Sequence, residues 1–312
     1  MKALVINQYG GPEQLRIQET AMPDRGKGEL LVRIHAAGVN PVDFKIRSGS
    51  MKFITGSKFP RILGGDIAGV VEQADPRSPY RPGDKVFAML TLKGGGYAEF
   101  ATVKESQVCR IPEGLGMADA ASMPLAALTA FQAFKKGGDI KPGDKVLING
   151  ASGGVGSYAV QIAKAQEAFV TAVCSARNAE FVQSLGADQV IDYITEDFTK
   201  KRTRYKKVFD AVAKSSFYKC RKILEKDGNY ITTVPNKGLF FFKALNFTRS
   251  KKAGFIMVKP EGSDLKIISD YYREGKLKPH VSKIFPLEDG AEAHELLETE
   301  RVRGKLVLSV IP

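Results

Sequence analysis

Short apolar runs follow one another through the first third of the chain. Turn-forming segments separate them, among them GGP at residues 10–12 and RPGD at residues 81–84. Runs of this length between turns are typical of strands, and several in succession predict a small barrel-like lobe. The predicted strands cover residues 2–7, 29–37, 67–73, 85–89 and 98–103.

The pattern changes in the middle of the chain. Residues 117–137 have apolar positions at helical spacing, with Pro124 as a predicted break or kink. Residues 141–282 then alternate strand-like and helical segments, which predicts a doubly wound parallel sheet. The tail, residues 285–312, predicts a helix and a strand, and we expect it to complete the first lobe. Strands are predicted around Val146, Val170, Val190, Val208 and Tyr230, and helices from near Val155, Ala179, Phe217 and Ser263.

One stretch, DKVLINGASGGVGSYAVQIAKA at residues 144–165, combines an apolar run, a glycine cluster and a helical pattern. Strand, tight loop and helix in this order direct backbone N–H groups and the positive end of a helix dipole at a ligand. A pyrophosphate suits that arrangement, so we expect a dinucleotide at Ser152, Gly153, Gly154 and Val155. The alternative is a glycine-rich turn that serves only helix–sheet packing.

The next strand-like run, FVTAVC at residues 169–174, should end beside this loop. An NAD enzyme usually has an acidic side chain there for the ribose diol, whereas this chain has Ser175 and Arg177. A hydroxyl and a guanidinium group favour a 2′-phosphate, so the predicted cofactor is NADPH. For Arg177 the alternative is a solvated cation near the next helix start.

With 312 residues, 43% of them apolar and 26% charged, the chain is long enough for two globular lobes. Its net charge is +13, and the segment KKRTRYKK at residues 200–207 is dense in positive charge. Such a segment invites polyanion binding, but no nucleic-acid-binding motif accompanies it. A solvated basic loop is the preferred interpretation, and a nucleic-acid partner is not expected.

The cysteine pattern bears on the compartment. Cys109, Cys174 and Cys220 are isolated in the sequence, without the spacing of a zinc cluster or a disulfide framework. This fits a reducing cytoplasm.

No run of about eighteen apolar residues occurs, so no integral membrane segment is expected. The apolar segment LFFFKALNF at residues 239–247 is interpreted as buried sheet, lid or subunit contact.

Several motifs together resemble a known family. They are AGVNPVDFKIRSG at residues 37–49, GGDIAGVVE at 64–72, GGGYAEF at 94–100, GASGGVG at 150–156 and LGADQVIDY at 185–193. The chain resembles the zinc-free quinone oxidoreductases of the medium-chain dehydrogenase/reductase superfamily over nearly its whole length. CSARN at 174–178 and FVQSLGAD at 181–188 are similar to NADPH-dependent members related to the chloroplast envelope quinone oxidoreductase homologue.

The resemblance implies a fold, and this sequence differs from zinc-dependent relatives at the positions of their zinc ligands. It implies an α/β protein with a GroES-like β-rich substrate domain over 1–117 and 285–312, and a central Rossmann NADPH-binding domain over 118–284. Zinc-dependent relatives carry a catalytic Cys and a His-Glu pair where this sequence has Asn40 and Gly65-Asp66. The three histidines offer no ligand spacing, so no metal is expected.

The resemblance also suggests catalytic candidates. Asn40 would face the nicotinamide or the substrate oxygen, the alternative being a structural Asn-Pro turn. Lys45 would bond the nicotinamide ribose or the carbonyl oxygen of the substrate. Its alternative is an ion pair with Asp43 or Asp66, and Asp66 would then serve to position Lys45.

Two further cofactor contacts follow from the resemblance. Thr129 would contact the nicotinamide, the alternative being a threonine that packs within its helix. Tyr193 would lie beside the 2′-phosphate, and its alternative is an ordinary aromatic residue at a strand end.

Together these features predict a zinc-independent, NADPH-dependent oxidoreductase that transfers hydride to quinones or to the C=C bond of α,β-unsaturated carbonyls. Such acceptors give a delocalised anion, which hydrogen bonds stabilise without a Lewis acid. The alternatives are a one-electron quinone reductase, and an NADPH-sensing or RNA-binding protein with weak turnover. A homodimer is expected from the family alone.

Overall fold

The computed structural model describes residues 1–234 and 250–311, so the segment 239–247 lies outside the described residues. The chain divides into two compact units. Unit 1 comprises Met1–Leu128, Pro260–Asp270 and Pro279–Pro312, and unit 2 comprises Thr129–Lys259 and Tyr271–Lys278. Compared with the domain limits expected from the sequence, part of the helical segment after residue 260 is grouped with the N-terminal unit.

The strands and helices of the described residues have the following bounds. The strands are β1 (Lys2–Ile6), β2 (Arg16–Glu19), β3 (Glu29–Val39), β4 (Arg61–Ile62), β5 (Asp66–Gln73), β6 (Lys85–Met89), β7 (Phe100–Lys104), β8 (Val108–Arg110), β9 (Lys145–Asn149), β10 (Phe169–Cys174), β11 (Gln189–Asp192), β12 (Tyr205–Asp210), β13 (Leu224–Thr232), β14 (Lys252–Phe255), β15 (Val281–Pro286) and β16 (Lys305–Ser309). The helices are α1 (Pro41–Arg47), α2 (Lys52–Thr55), α3 (Met117–Ser122), α4 (Pro124–Lys135), α5 (Gly154–Ala165), α6 (Ala179–Ser184), α7 (Phe217–Cys220), α8 (Gly262–Arg273) and α9 (Gly290–Glu298).

Unit 1 is built on two sheets. A three-stranded sheet has the order β2-β1-β4, and a seven-stranded sheet has the order β15-β16-β3-β5-β6-β8 with β7 also paired to β3. The last strand, β16, pairs antiparallel with β3, so that Leu306 lies opposite Val39. This confirms that the tail returns to the first lobe.

Unit 2 contains a six-stranded sheet in the order β11-β10-β9-β12-β13-β14, and all of its strand pairs are parallel. Starting from β9, the chain adds strands outward on one side and then returns to add β12 on the other. This is the order of a Rossmann fold, whose ligands bind at the carboxyl ends of the strands beside the reversal point. The predicted alternation of strand and helix is therefore confirmed.

Local sequence explains the less obvious elements. Pro124 separates α3 from α4, as predicted, because proline breaks a continuous helix. Helix α1, which the sequence analysis did not assign, begins with a capping box between Asn40 and Asp43 and has a proline in its first turn. In the part of the chain that is described, no helix is long and apolar enough to cross a lipid bilayer.

Candidate functional site

The glycine loop of unit 2 connects β9 to α5, and its glycines meet different surroundings. Gly150 has a φ of +80°, and a Cβ atom there would lie 2.4 Å from Cγ1 of Val212. A Cβ atom on Gly156 would lie 2.1 Å from the carbonyl oxygen of Gly150. The nearest atom to a Cβ on Gly153 is 3.6 Å away. The fold therefore requires Gly150 and Gly156, whereas Gly153 leaves open space at the loop.

The N-terminus of α5 fits an anionic group. Gly153 is its N-cap, and no side chain of the described residues caps the first turn. That turn contains no acidic residue. The N–H groups at the start of a helix and the positive end of its dipole attract phosphate. A dinucleotide pyrophosphate therefore fits this loop, where the sequence predicts contacts from Ser152, Gly153, Gly154 and Val155.

The carboxyl end of β10 lies beside the loop. The backbone N–H groups of Gly150 and Ala151 both donate to the carbonyl oxygen of Val173, at 3.0 and 3.1 Å. Ser175 follows the strand directly and is buried. The loop and the end of β10 therefore form one continuous edge, as the Rossmann pattern predicts.

Asn178 connects the two parts of this edge. Its Nδ2 atom donates to Oγ of Ser152 at 3.1 Å and to Oγ of Ser175 at 3.3 Å. The two serines were predicted as separate cofactor contacts, and the structure brings them together through one amide. No sequence pattern indicated Asn178.

Arg177 and Tyr193 lie at the same edge, and both are exposed. Arg177 belongs to the short 3-10 turn Ala176–Asn178 that follows β10. The backbone N–H of Tyr193 donates to the carbonyl oxygen of Cys174 at 3.2 Å, and its side chain is 59% exposed. No residue from 175 to 178 is acidic. A 2′-phosphate at this edge would meet hydroxyl and guanidinium donors without a repelling carboxylate at the end of β10.

A buried carboxylate supports the other side of the glycine loop. Asp210, at the end of β12, is completely buried and accepts hydrogen bonds from Nδ2 of Asn149 at 2.9 Å and from the Tyr230 hydroxyl at 2.9 Å. Its second oxygen also accepts from the backbone N–H of Ser215 at 2.8 Å. Since Asn149 immediately precedes Gly150, Asp210 fixes the point at which the chain leaves β9. No sequence pattern indicated this carboxylate.

Thr129, the remaining cofactor candidate, is a buried residue of α4. Its position in a helix is compatible with the packing alternative.

Unit 1 holds the catalytic candidates. Asn40 is 1% exposed, and its side chain takes part in several hydrogen bonds. Its Nδ2 atom donates to Oδ2 of Asp66 at 2.9 Å, while its Oδ1 atom accepts from Nζ of Lys305. Its backbone N–H donates to Oδ2 of Asp43 at 2.8 Å. The alternative interpretation, an asparagine with a structural role at the start of α1, accounts for all of these contacts.

Asp66 pairs with Lys305. The Nζ atom of Lys305 lies 3.5 Å from Oδ2 of Asp66, and both side chains are almost fully excluded from solvent. Burial lowers the pKa of Lys305 and raises that of Asp66, whereas the charge of each partner opposes these shifts. Nζ of Lys305 also donates to the carbonyl oxygen of Val39 at 3.2 Å. Asp66 therefore anchors β16 to the start of α1.

The second buried carboxyl group, Asp43, continues the network. Its Oδ2 atom accepts from the Tyr97 hydroxyl at 3.0 Å, and that hydroxyl lies 3.2 Å from Nε2 of His294. Burial lowers the pKa of His294 to about 3, so the ring is neutral. Because the Tyr97 hydrogen is used on Asp43, the hydrogen of His294 belongs on Nε2. Burial raises the pKa of Asp43 to about 7.

Lys45 stands apart from this network. It lies in the last turn of α1 and is half-buried. Within the described residues it forms no ion pair with Asp43 or Asp66, the partners that the alternative interpretation required. Asp66 therefore does not position Lys45 by direct contact.

The basic segment at residues 200–207 is divided among several partners. Lys201 pairs with Glu196, and Lys206 pairs with Asp227. Lys207 is 1% exposed and its Nζ atom donates to the carbonyl oxygens of Phe134 and Lys136. Burial lowers the pKa of Lys207 to about 8. Lys207 thus stabilises the end of α4, so the segment is not a continuous cationic surface.

Comparison with known proteins identifies the family. The family model described as "Alcohol dehydrogenase GroES-like domain" matches residues 26–113, and the model described as "Zinc-binding dehydrogenase" matches residues 185–308. The chloroplast envelope quinone oxidoreductase homolog of Arabidopsis thaliana is 36% identical over 99% of this chain and 98% of its own. The chloroplastic NADPH-dependent alkenal/one oxidoreductase of the same plant is 32% identical, over 100% of this chain and 80% of its own.

A solved structure agrees with these matches. The quinone oxidoreductase from Coxiella burnetii superposes with a TM-score of 0.90 at 33% identity, covering 100% of this chain and 99% of that one. The chain belongs to the quinone oxidoreductase family of the medium-chain dehydrogenase/reductase superfamily. It is therefore an oxidoreductase with a GroES-like unit and a Rossmann unit.

One of the matching family descriptions names zinc, so the residues can be tested for a zinc site. Among residues 1–234 and 250–311, no group of three or more His, Cys, Asp or Glu side chains is arranged to hold a metal ion. Asn40 and Asp66, for which the resemblance predicts the positions of zinc ligands in zinc-dependent relatives, both contact the ammonium group of Lys305. A buried cation at this point repels another cation, so these side chains do not fit a zinc ion.

Proposed function

We propose that this chain is an NADPH-dependent, zinc-independent reductase that transfers hydride to quinones or to the C=C bond of α,β-unsaturated carbonyls. The observation that carries the proposal is the edge formed by the glycine loop and the end of β10, where Asn178 joins Ser152 to Ser175. Two relatives support the reaction class, since one is named a quinone oxidoreductase homolog and the other an NADPH-dependent alkenal/one oxidoreductase.

The dinucleotide is held by residues of unit 2. Gly153, Gly154 and Val155 offer backbone N–H groups to its pyrophosphate, and Ser152 lies at the start of the same loop. Ser175, Arg177 and Tyr193 surround the 2′-phosphate, with Arg177 neutralising its charge. Thr129 contacts the nicotinamide end. The bound NADPH supplies the hydride.

Lys45 binds the acceptor. Lys45 is half-buried and makes no ion pair within the described residues, so its ammonium group is available to donate a hydrogen bond to the carbonyl or quinone oxygen. Negative charge develops on that oxygen as hydride reaches the conjugated carbon, and a cationic donor stabilises it. Asn40, whose side chain is occupied by Asp66 and Lys305, holds the first turn of the helix that carries Lys45.

Conjugated acceptors suit a protein without a Lewis acid. Reduction of a simple ketone concentrates charge on one alkoxide oxygen, whereas an enolate or a hydroquinone anion spreads the charge over several atoms. Saturated ketones are therefore poor substrates in this proposal.

The proposal also includes a cytoplasmic location, a homodimer and the absence of a nucleic-acid partner. All three cysteines are buried free thiols, which supports a reducing compartment. The ion pairs formed by Lys200, Lys201 and Lys206 reduce the charge available to a polyanion. Sedimentation equilibrium tests the dimer. A filter-binding titration with single-stranded RNA at low salt tests the absence of a nucleic-acid partner.

Steady-state kinetics test the proposed function. EDTA-treated protein is assayed with NADPH and NADH against 1,4-benzoquinone, 9,10-phenanthrenequinone, 2-hexenal and a saturated ketone. NADPH-preferring turnover of the conjugated acceptors alone supports the proposal. Equal use of NADH contradicts the role of Arg177, and loss of activity on zinc removal contradicts zinc independence.

The role of Lys45 has a matched control. Lys45→Met should lower kcat/KM for 2-hexenal by about 100-fold, because a cationic donor to the developing charge is lost, while the Kd of NADPH stays within about twofold. Lys58→Met, at an exposed residue of the same unit, should leave kcat/KM unchanged. Equal activity of the two variants would exclude Lys45 from the reaction.

A further inference from the structure

The amide of Asn178 determines how two hydroxyl groups can be used. Its Nδ2 atom lies 3.1 Å from Oγ of Ser152 and 3.3 Å from Oγ of Ser175, and it donates to both. Ser152 belongs to the glycine loop, and Ser175 follows β10. One side chain therefore sets the hydrogen-bond direction of a hydroxyl on each of two separate segments.

A serine hydroxyl has one hydrogen and two lone pairs. When a lone pair is occupied by an amide donor, the hydroxyl hydrogen must point elsewhere. In the described residues neither Ser152 nor Ser175 donates its hydroxyl hydrogen to another protein group. Ser175 is nevertheless buried, with 6% of its surface exposed. Both hydroxyls are thus prepared to donate to an incoming acceptor.

A 2′-phosphate is such an acceptor. With a second pKa near 6 it is mostly a dianion at neutral pH, and its terminal oxygens accept hydrogen bonds without donating any. A ribose 2′-hydroxyl, by contrast, is recognised best by a group that accepts its hydrogen, which is why NAD enzymes place a carboxylate there. Hydrogen-bond donors at this edge therefore distinguish NADPH from NADH by hydrogen-bond direction as well as by charge.

We propose that Asn178 is the positioning residue that sets the preference for a 2′-phosphorylated cofactor, by holding the hydroxyls of Ser152 and Ser175 as donors toward the phosphate. The inference rests on the proposed use of NADPH and adds a residue that acts on the phosphate through others. Arg177 supplies positive charge at this edge, and Asn178 orients the two serine hydroxyls so that they donate to the phosphate.

Binding measurements without turnover test this role. The Kd values of 2′,5′-ADP and 5′-AMP are measured by calorimetry on the full-length protein, and their ratio isolates the 2′-phosphate. Asn178→Ala should reduce the preference for 2′,5′-ADP by about five- to tenfold, since two hydroxyls lose their imposed direction. Asn178→Asp should reduce it further, because a carboxylate accepts both hydroxyl hydrogens and repels the phosphate.

The control is Ser184→Ala on α6. The hydroxyl of this exposed residue donates to the carbonyl oxygen of Phe181 at 2.7 Å, so its removal deletes a neighbouring polar group without touching the edge. The nucleotide preference of that variant should equal the wild-type value. Melting temperatures of all variants show whether each remains folded.

A double-mutant cycle distinguishes positioning from general support of the fold. If Asn178 acts through Ser175, Asn178→Ala should have a smaller effect on the nucleotide preference in a Ser175→Ala background than in the wild type. Additive effects, an unchanged preference, or equal weakening of both nucleotides would overturn the role of Asn178. A wild-type protein without preference for 2′,5′-ADP would instead overturn the use of NADPH itself.

Discussion

The ammonium nitrogen of Lys305 lies 3.5 Å from Oδ2 of Asp66, in a place where the two side chains are 4% and 0% exposed. The strands that carry them flank β3 on opposite sides. Gly38 lies between them, and a Cβ atom there would approach the Asp66 Cβ to 3.0 Å and the Ala121 carbonyl oxygen to 2.5 Å. The ion pair thus joins the last strand to the N-terminal part of unit 1.

Lys305→Met should strongly destabilise the protein. Removal of the ammonium group leaves the Asp66 carboxylate buried without its cation, which costs about 3–5 kcal/mol in comparable pairs. The free energy of unfolding in urea measures this loss. Lys283→Met is the control, because Lys283 and its partner Glu292 are 50% and 60% exposed, and the change should stay within about 1 kcal/mol. Similar losses of unfolding free energy in both variants would mean that the buried pair contributes no more to stability than the exposed pair.

Asp43→Asn should change how stability depends on pH. The folded state raises the pKa of Asp43 to about 7, above the value of about 3.9 in an unfolded chain. The stability contributed by the protonated carboxyl is fully present below the unfolded pKa and is lost as the pH rises through the folded one. Between these values the wild type should lose stability relative to the variant by up to about 1.4 kcal/mol per pH unit. Urea unfolding at pH 5 and pH 7 tests this, and a difference that does not vary with pH would contradict it.

Two glycines of the same loop should respond differently to a methyl group. Gly156→Ala places a Cβ atom 2.1 Å from a backbone oxygen, so we expect a loss of stability of about 3 kcal/mol or more. Gly153→Ala meets open space, with a backbone φ of −80° that alanine tolerates, so its stability should be close to wild type. Its methyl group enters the phosphate cradle, and NADPH affinity should fall about tenfold. Thermal unfolding measures the stability of both variants, and calorimetry measures the Kd of NADPH. An unchanged Kd in Gly153→Ala would mean that the loop has only a packing role.

Asp210→Ala should disturb the glycine loop more than Tyr230→Phe does. The first change leaves the Asn149 amide, the Tyr230 hydroxyl and the Ser215 N–H without their shared buried acceptor, a cost of about 3 kcal/mol or more. The second removes one hydrogen bond from the set, at about 1 kcal/mol. We expect NADPH affinity to fall clearly in Asp210→Ala and little in Tyr230→Phe. Equal Kd values in the two variants would show that Asp210 does not position the loop.

Features that depend on a pattern of consecutive residues could be predicted from the sequence. An apolar run, a glycine cluster and a helical pattern follow one another in residues 144–165, and the structure has β9, the loop and α5 there. The strand–helix alternation likewise depends on local periodicity and predicted the parallel sheet. Helix α1 was missed, although Asn40 and Asp43 have the spacing of a capping box and Pro41 stands between them.

Pairings between distant residues could not be predicted in this way. Lys305 opens a strand near the end of the chain, and nothing in its neighbours indicates that its partner is Asp66. The segment at residues 200–207 shows the same limit, because composition does not reveal that Lys207 is buried against the end of α4 while Lys206 pairs with Asp227. Asn178 was missed because the direction of a side-chain amide depends on where two separate loops meet.

Isotope transfer tests the central claim most directly. NADPH carrying deuterium on the transferred position of the nicotinamide is incubated with the protein and 2-hexenal, and the product is analysed by mass spectrometry. We predict hexanal with one deuterium at its β-carbon, because hydride is delivered to the conjugated C=C bond. 2-Hexen-1-ol with deuterium at the carbinol carbon would show carbonyl reduction instead, and would contradict the proposed reaction with α,β-unsaturated carbonyls.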